Sequence, residues 1–286
     1  MFTGKTKNLG VIGWPVAHSL SPAMQNAALA AACLDYAYIA LPVRPEDLKS
    51  AVEGLRAVNF SGFNVTIPHK QTIMPLLDVI DADAEAIGAV NTVVQKGEQL
   101  VGFNTDADGF LSGLQAEHFA VTGKRAVIFG AGGAARAAVQ GLLKKKTQSI
   151  VLGARNEEKA KRTAHTFQKW GDVQGMAWDA KCFLEALHEA QLLVNVTPLG
   201  MYPQIEKMPP VPWEQVRSDA VAYDVVYTPH WTRFLQEAKA HGLRTIHGAQ
   251  MLVGQGAKAF NLWTGVEANR RVMTKALEEA LKVSLS

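Results

Sequence analysis

Arg125-Ala126-Val127-Ile128-Phe129-Gly130-Ala131-Gly132-Gly133-Ala134-Ala135-Arg136 is the stretch that decides the architecture. Arg125 to Gly130 has the composition of a buried strand, and the glycines open a predicted helix that runs to about Lys144. The pattern is G-x-G-x-x-A, the dinucleotide fingerprint with alanine in its third position. Glycines there let the backbone approach a pyrophosphate, and the helix N-terminus stabilises its charge. Gly130, Gly132, Gly133 and Ala134 are therefore candidate cofactor-binding residues. A second strand over Ser149 to Leu152 lies at the spacing the fingerprint requires.

The residues just after that second strand bear on the choice of cofactor. An acid there suits the ribose 2′-hydroxyl of NAD, and an arginine suits the 2′-phosphate of NADP. The chain reads Gly153-Ala154-Arg155-Asn156-Glu157-Glu158-Lys159. Arg155 comes first, and Lys159 lies about one helical turn further on the same side. Asn156 reads as an N-cap with acids in the first turn behind it. NADP is favoured, and Glu157 keeps NAD open.

Nearer the N-terminus, Gly62-Phe63-Asn64-Val65-Thr66-Ile67-Pro68-His69-Lys70 reads as a strand, Phe63 to Ile67, stopped by a proline that cannot donate to a ladder. Lys70 is delivered at the strand's end, where open α/β sheets place their ligands. Leu100 to Phe103 reads as another strand, and Asn104-Thr105-Asp106 carries an acid to the start of a helical run. A lysine and an aspartate at two strand ends can share a proton beside a substrate hydroxyl. Read locally, Asp106 also fits the N-cap of a helix over Asp108 to Leu114.

The whole chain is compatible with an enzyme of two domains. It has 286 residues, 48% hydrophobic and 19% charged, and a net charge of +3. Its longest run of cations, Lys144-Lys145-Lys146, falls at a predicted helix C-terminus, where cations suit the macrodipole, so nucleic-acid binding has no support. No segment has the length of a membrane span, and the first residues lack the apolar core of a signal peptide. Two cysteines, Cys33 and Cys182, both on predicted helices, fit a reducing cytoplasm. The eight histidines show no metal-binding spacing, so no metal is expected.

Strands and helices alternate throughout. The first unit reads as βαβα with an antiparallel addition at one edge, formed by Val90–Val94 and Gln99–Phe103 across the turn Lys96-Gly97-Glu98. The second carries strands from Ala126 to Thr245, and a proline-rich loop lies between Met201 and Pro212. Two helices after Gly248 continue no strand pattern and are expected to return to the first domain. The expected domains are 1–106 with 247–286, an open α/β substrate-binding domain, and 107–246, a Rossmann dinucleotide-binding domain, with the active site in the groove between them.

After the first strand, Ser21-Pro22 reads as a helix start with serine as N-cap and proline at N1. That position is also an anion site. Ser19 adds a hydroxyl that capping does not explain, and His18 is read as structural.

Eight ordered motifs together resemble the shikimate/quinate dehydrogenase family over essentially the full length. They are Ser19-Leu20-Ser21-Pro22, Asn64 to Lys70, Gly88-Ala89-Val90-Asn91-Thr92, Asn104-Thr105-Asp106, Gly130 to Ala134, Asn195 to Met201, Asp224-Val225-Val226-Tyr227 and Met251 to Gln255. The resemblance implies reversible reduction of 3-dehydroshikimate to shikimate by NADPH, in aromatic amino acid biosynthesis. It implies Lys70 and Asp106 as the catalytic pair. Ser19 and Ser21 would bind the substrate carboxylate, with Tyr227 nearby. Thr66, Lys70, Asn91, Asp106 and Gln255 would bind the ring hydroxyls. Asn195-Val196-Thr197 and Gly248 to Met251 would line the nicotinamide side, Val225 would also bind the cofactor, and Arg155 and Lys159 would take the 2′-phosphate.

Physical reasoning agrees on several of these. Hydride transfer to a ketone leaves an alkoxide that needs a proton and a nearby positive charge. Lys70 can supply both, and either member of the pair can release the proton. Met251 and Gln255, four apart on a predicted helix, face the same way. The chain departs from the family pattern at Ala154-Arg155-Asn156, where Asn-Arg-Thr is usual, and at Gln250, where a glycine is frequent. Two alternatives stand beside this reading: a quinate/shikimate dehydrogenase using NAD or both cofactors, and a catalytically silent NADP- or shikimate-sensing protein. The pattern forces no oligomer, so a monomer or homodimer is expected.

Overall fold

The computed structural model describes residues 2–284, and the chain divides into two compact units. One runs through Asp106 and resumes at Val253; the other is Ala107–Leu252. The division falls inside a helix rather than at residue 247, because the helix after Gly248 is continuous across it.

In the first unit, β1 (Lys7–Gly13), α1 (Ser21–Ala31), β2 (Tyr36–Pro42), α2 (Leu48–Ala57) and β3 (Gly62–Val65) form parallel βαβαβ. Next come β4 (Val79–Ile80), α3 (Ala82–Ile87), β5 (Thr92–Lys96) and β6 (Gln99–Phe103). The sheet order is β2-β1-β3-β5-β6-β4. β5 runs antiparallel to both β3 and β6, and β4 pairs parallel with β6. The antiparallel strand thus lies inside the sheet, and the two-residue β4, too short for a periodic signal, forms the edge.

In the second unit the elements are α4 (Asp106–Ala116), β7 (Arg125–Phe129), α5 (Gly133–Lys144), β8 (Ser149–Ala154), α6 (Glu157–Phe167) and β9 (Val173–Ala177). They continue with α7 (Lys181–Glu189), β10 (Leu192–Asn195), β11 (Val221–Asp224), α8 (Arg233–Ala240) and β12 (Arg244–Ile246). All pairings in this sheet are parallel, in the order β12-β11-β10-β7-β8-β9. That is the doubly wound Rossmann order, with its switch point between β7 and β10. As two-sided burial requires, β7 and β10 are apolar on both faces: Val127, Phe129 and Leu193 pack in one cluster, and Ala126, Ile128, Leu192 and Val194 in another.

Two helices close the chain, α9 (Gly248–Thr264) and α10 (Arg270–Ser284). α10 packs on α1. In the first unit, the Trp263 indole of α9 donates to Val93 O at 2.9 Å and occupies the space a Cβ at Gly62 would fill. Cys33 lies just past α1 at φ 53 rather than on a helix, whereas Cys182 is on α7; both are exposed and unpaired. No helix among the described residues is long and apolar enough to cross a membrane.

Candidate active site

Sheet direction brings the residues that follow β1, β3 and β6 and precede β5, among them Ser19, Ser21, Thr66, Lys70, Asn91 and Asp106, to one edge of the first sheet. β1, β3 and β6 end there, and β5, running the other way, begins there. The β3 strand stops at Val65 rather than Ile67 because Thr66 N–H donates to Ile12 O, after which His69 N–H closes a turn on Thr66 O. β5 starts at Thr92 rather than Val90 because the two preceding residues hold the site together. Val90 N–H donates to Lys70 O at 2.8 Å, and Asn91 N–H to Phe103 O at 3.0 Å.

Within that frame, Lys70 Nζ donates to Asp106 Oδ2 at 2.6 Å. The lysine side chain is 28% exposed and the aspartate 10%, so the ammonium is the member of the pair open to a ligand. Asp106 is the first residue of α4 and lies before the helix start expected at Asp108. Its own N–H is taken by Asn104 Oδ1 at 3.0 Å. Its other oxygen, Oδ1, accepts from Asn91 Nδ2 at 2.7 Å.

Behind the pair runs a buried polar chain that the sequence did not reveal as a unit. Tyr38, 2% exposed, donates its hydroxyl to Asn64 Oδ1 at 2.7 Å. Asn64 donates to Thr92 Oγ1 at 3.0 Å and to Asn91 O at 3.1 Å. Thr92 Oγ1 donates to Asn91 Oδ1 at 3.0 Å, and Asn91 donates to Asp106. The donors all point toward the carboxylate, and such chains strengthen one another in a low-dielectric interior. Burial pushes the Tyr38 hydroxyl far above the usual phenol range, so it serves as a donor. Asn64 and Thr105 belong to motifs that the sequence singles out; Tyr38, on a strand with no polar signal, does not.

The serines differ from the expected cap. α1 begins at Ser21 itself, after Leu20, and no side chain caps it. Instead, Ser19 Oγ accepts the N–H of Ser21, the first helical residue, at 3.3 Å. Both hydroxyls remain at the C-terminal side of β1. Thr66 is partly buried at the end of β3, and Gln255 is partly buried on α9, one turn beyond the buried Met251. His18 is exposed. His69 is buried, with Nε2 2.8 Å from Val43 O.

In the second unit the glycine fingerprint forms an open turn between β7 and α5. Gly130 has φ 122, and a Cβ there would stand 2.9 Å from Val196 Cγ2, at the switch point. Gly132 is the N-cap of α5 and offers no side chain, and nothing lies within 4 Å of a Cβ built on Gly132 or Gly133. The first N–H groups of α5 are therefore bare and open, as a pyrophosphate needs. Ala134 sits on the same turn. A Cβ at Gly248 would collide with Val225 O, so these two candidate residues are in close backbone contact.

Thr197 and Val225 are organised by a buried carboxylate. Asp224, at the end of β11, accepts from Asn195 Nδ2 at 3.1 Å, Val226 N at 2.9 Å and Thr232 Oγ1 at 2.6 Å. Asn195 Oδ1 in turn accepts from Thr197 N and Oγ1. Burial pushes the Asp224 carboxyl up to about 6 despite these donors. Burial likewise raises the partly buried Tyr227 phenol and lowers His247, which stacks on His230 at 4.1 Å between ring centroids. Arg155 and Lys159 are exposed at the start of α6, where Asn156 Oδ1 accepts from Lys159 N at 2.9 Å, the cap expected. Glu157 turns to Lys161, 2.9 Å away.

Known proteins resemble this chain over nearly its whole length. Residues 11–93 match the shikimate dehydrogenase substrate binding domain, and residues 248–278 the shikimate 5'-dehydrogenase C-terminal domain. Shikimate dehydrogenase (NADP(+)) of Synechocystis sp. is 46% identical, over 99% of this chain and 98% of its own. A shikimate dehydrogenase solved in complex with NADP+ is 42% identical with a TM-score of 0.90, covering 98% of this chain and 97% of that one. The Thermus thermophilus enzyme, solved with NADP(H) and shikimate, is 39% identical with a TM-score of 0.87, covering 96% of this chain and 99% of that one. With fold, identity and near-complete coverage in agreement, this chain belongs to the shikimate dehydrogenase family.

Proposed function

We propose that the protein is an NADP-dependent shikimate dehydrogenase, reversibly reducing 3-dehydroshikimate to shikimate in aromatic amino acid biosynthesis. The observation that carries the reading is the Lys70–Asp106 pair at 2.6 Å, with Asn91 on the aspartate's second oxygen, at the sheet edge that also presents Ser19, Ser21 and Thr66. The first unit binds the substrate and the second binds the cofactor. Gly130, Gly132, Gly133 and Ala134 hold the pyrophosphate, Arg155 and Lys159 the 2′-phosphate, and Thr197, Val225 and Gly248 the nicotinamide side. When bound, NADPH supplies the hydride.

The chain's own residues do the rest. Ser19 and Ser21 hold the carboxylate, with Tyr227, while Thr66, Asn91, Asp106 and Gln255 orient the ring hydroxyls. Reduction of the ring ketone leaves an alkoxide, which Lys70 stabilises by its charge and which takes a proton from the Lys70–Asp106 pair. A group in this position is worth about 10² to 10⁴ in rate. The case for NAD through Glu157 is weakened by the pairing of that carboxylate with Lys161. The intact Lys70–Asp106 pair speaks against a silent sensor. We place the enzyme in the cytoplasm, as a monomer or homodimer, with its two exposed cysteines reduced.

The test is initial velocity with shikimate, following NADPH and NADH formation in parallel, then with quinate. A kcat/KM for shikimate with NADP+ well above the other three pairs is expected. Comparable rates with quinate or NAD+ would move the protein to dual-specificity relatives. Absence of turnover in a folded sample that binds shikimate would overturn the dehydrogenase reading.

A further inference from the structure

Strand register sets Arg155 beside Trp178. β8 and β9 pair in parallel, and their last partners are Ala154 and Ala177. Trp178 N–H then donates to Ala154 O at 3.3 Å, carrying the contact one residue further. Arg155 and Trp178 are thus the next residues on adjacent chains, and equivalent positions on neighbouring strands share a face. The Arg155 guanidinium carbon stands 5.9 Å from the centroid of the indole, within reach of a cation–π contact.

The surrounding charges give that contact its meaning. Glu157 and Glu158, the nearest acids in sequence, both turn to Lys161, at 2.9 and 3.9 Å. Among the described residues no carboxylate pairs with Arg155. An ion pair would orient the guanidinium by occupying its N–H donors. An aromatic face orients it through the π surface and leaves the in-plane donors free for a bidentate phosphate. Trp178 is itself anchored. It is half-buried against the cluster that contains Phe183 and Val211.

We propose that Trp178 is a specificity-determining positioning residue, whose indole holds Arg155 ready for a ribose 2′-phosphate and so sets the preference for NADP over NAD. This rests on the reading of the second unit as the NADP-binding unit, and it adds a residue on β9's side of the sheet to that site. The effect is a bias in one exposed side chain, so its size is that of an exposed cation–π contact, about 2- to 5-fold in affinity.

The experiment titrates the full chain calorimetrically with adenosine 2′,5′-bisphosphate and with adenosine 5′-monophosphate. Trp178→Ala should weaken the bisphosphate about 2- to 5-fold and leave the monophosphate unchanged. Trp178→Phe should retain most of the affinity. Trp178→Leu, which keeps bulk for packing but lacks a π face, should behave like the alanine variant. In an Arg155→Ala background, Trp178→Leu should have no further effect on the bisphosphate. The ratio of kcat/KM for NADP+ over NAD+ should fall by the same factor. Equal weakening of both nucleotides, or none, overturns the proposal. A wild-type protein that discriminates the two nucleotides through Trp178 yet turns over no shikimate would overturn the proposed function and leave this inference standing.

Discussion

Asn91 can face Asp106 in only one orientation. Its Oδ1 accepts the backbone N–H of Thr105 at 2.8 Å, and that group can only donate, so the amide nitrogen must turn toward Asp106 Oδ1. The carboxylate is held from one side by an amide fixed by the backbone and from the other by Lys70. Asn91→Ala leaves both the Thr105 N–H and an Asp106 oxygen without their partner, and should cost about 1–3 kcal/mol of stability. Asn91→Asp should harm turnover more, because it sets two carboxylates against each other. Its kcat should recover partly toward acidic pH, where one of them is neutralised. A flat pH profile for Asn91→Asp relative to wild type would count against this geometry.

Lys70→Ala should lower kcat by about 10² to 10⁴. The lysine side chain is more than a quarter exposed, so the variant should keep its fold while losing its chemistry. The check pairs single-turnover rates with shikimate binding measured by fluorescence or calorimetry. Loss of binding together with turnover would show that Lys70 acts on the substrate's ground state.

Tyr38→Phe removes a buried hydroxyl that donates to Asn64 and should destabilise the protein by about 1–3 kcal/mol. Turnover should fall less than for Asn91→Ala, since the Thr105 backbone orients Asn91 independently of Tyr38. Urea denaturation and kcat measured on the same samples separate the two effects. A kcat loss as large as that of Asn91→Ala would mean that the chain from Tyr38 positions Asp106 as firmly as the backbone does.

Asp224 makes a pH prediction with a definite sign. Burial raises its folded-state value to about 6, above that of an unfolded carboxyl, so the native state holds the proton more tightly. Its contribution is therefore complete below about pH 4 and is lost as pH rises through about 6, by roughly 3 kcal/mol in all. Wild-type stability minus that of Asp224→Asn should accordingly decline between about pH 4.5 and 7. A difference that stays constant, or rises, contradicts this assignment.

The sequence was most legible where local chemistry and global fold agree. The glycine fingerprint between β7 and α5, and the cap at Asn156, could be read because each satisfies a backbone requirement within a few residues. The meeting of Lys70 and Asp106 was legible for a similar reason, since both follow strands that end on one side of the sheet. Pairing between distant segments was not. β4 is two residues long, and its parallel partner β6 lies about twenty residues away. Tyr38 looked like one more residue of an apolar strand until the fold set Asn64 against its hydroxyl. Trp178 gained its role only from the register of β8 and β9. Ser21-Pro22 misled differently: the cap pattern was present, but the helix began one residue early and Ser19 took the N–H.

The return of α9 and α10 to the first unit has a consequence for how the chain is made. Ala107–Leu252 is a continuous segment and can close its sheet as soon as it has left the ribosome. Residues 1–106 emerge earlier, but they lack the Trp263 indole that fills the space over Gly62 and the α10 surface that packs on α1 until the segment after Leu252 has followed. Residues 1–106 are thus finished only after the segment that follows them, and the serines at the head of α1 gain the support of α10 only once residues 270–284 have been made.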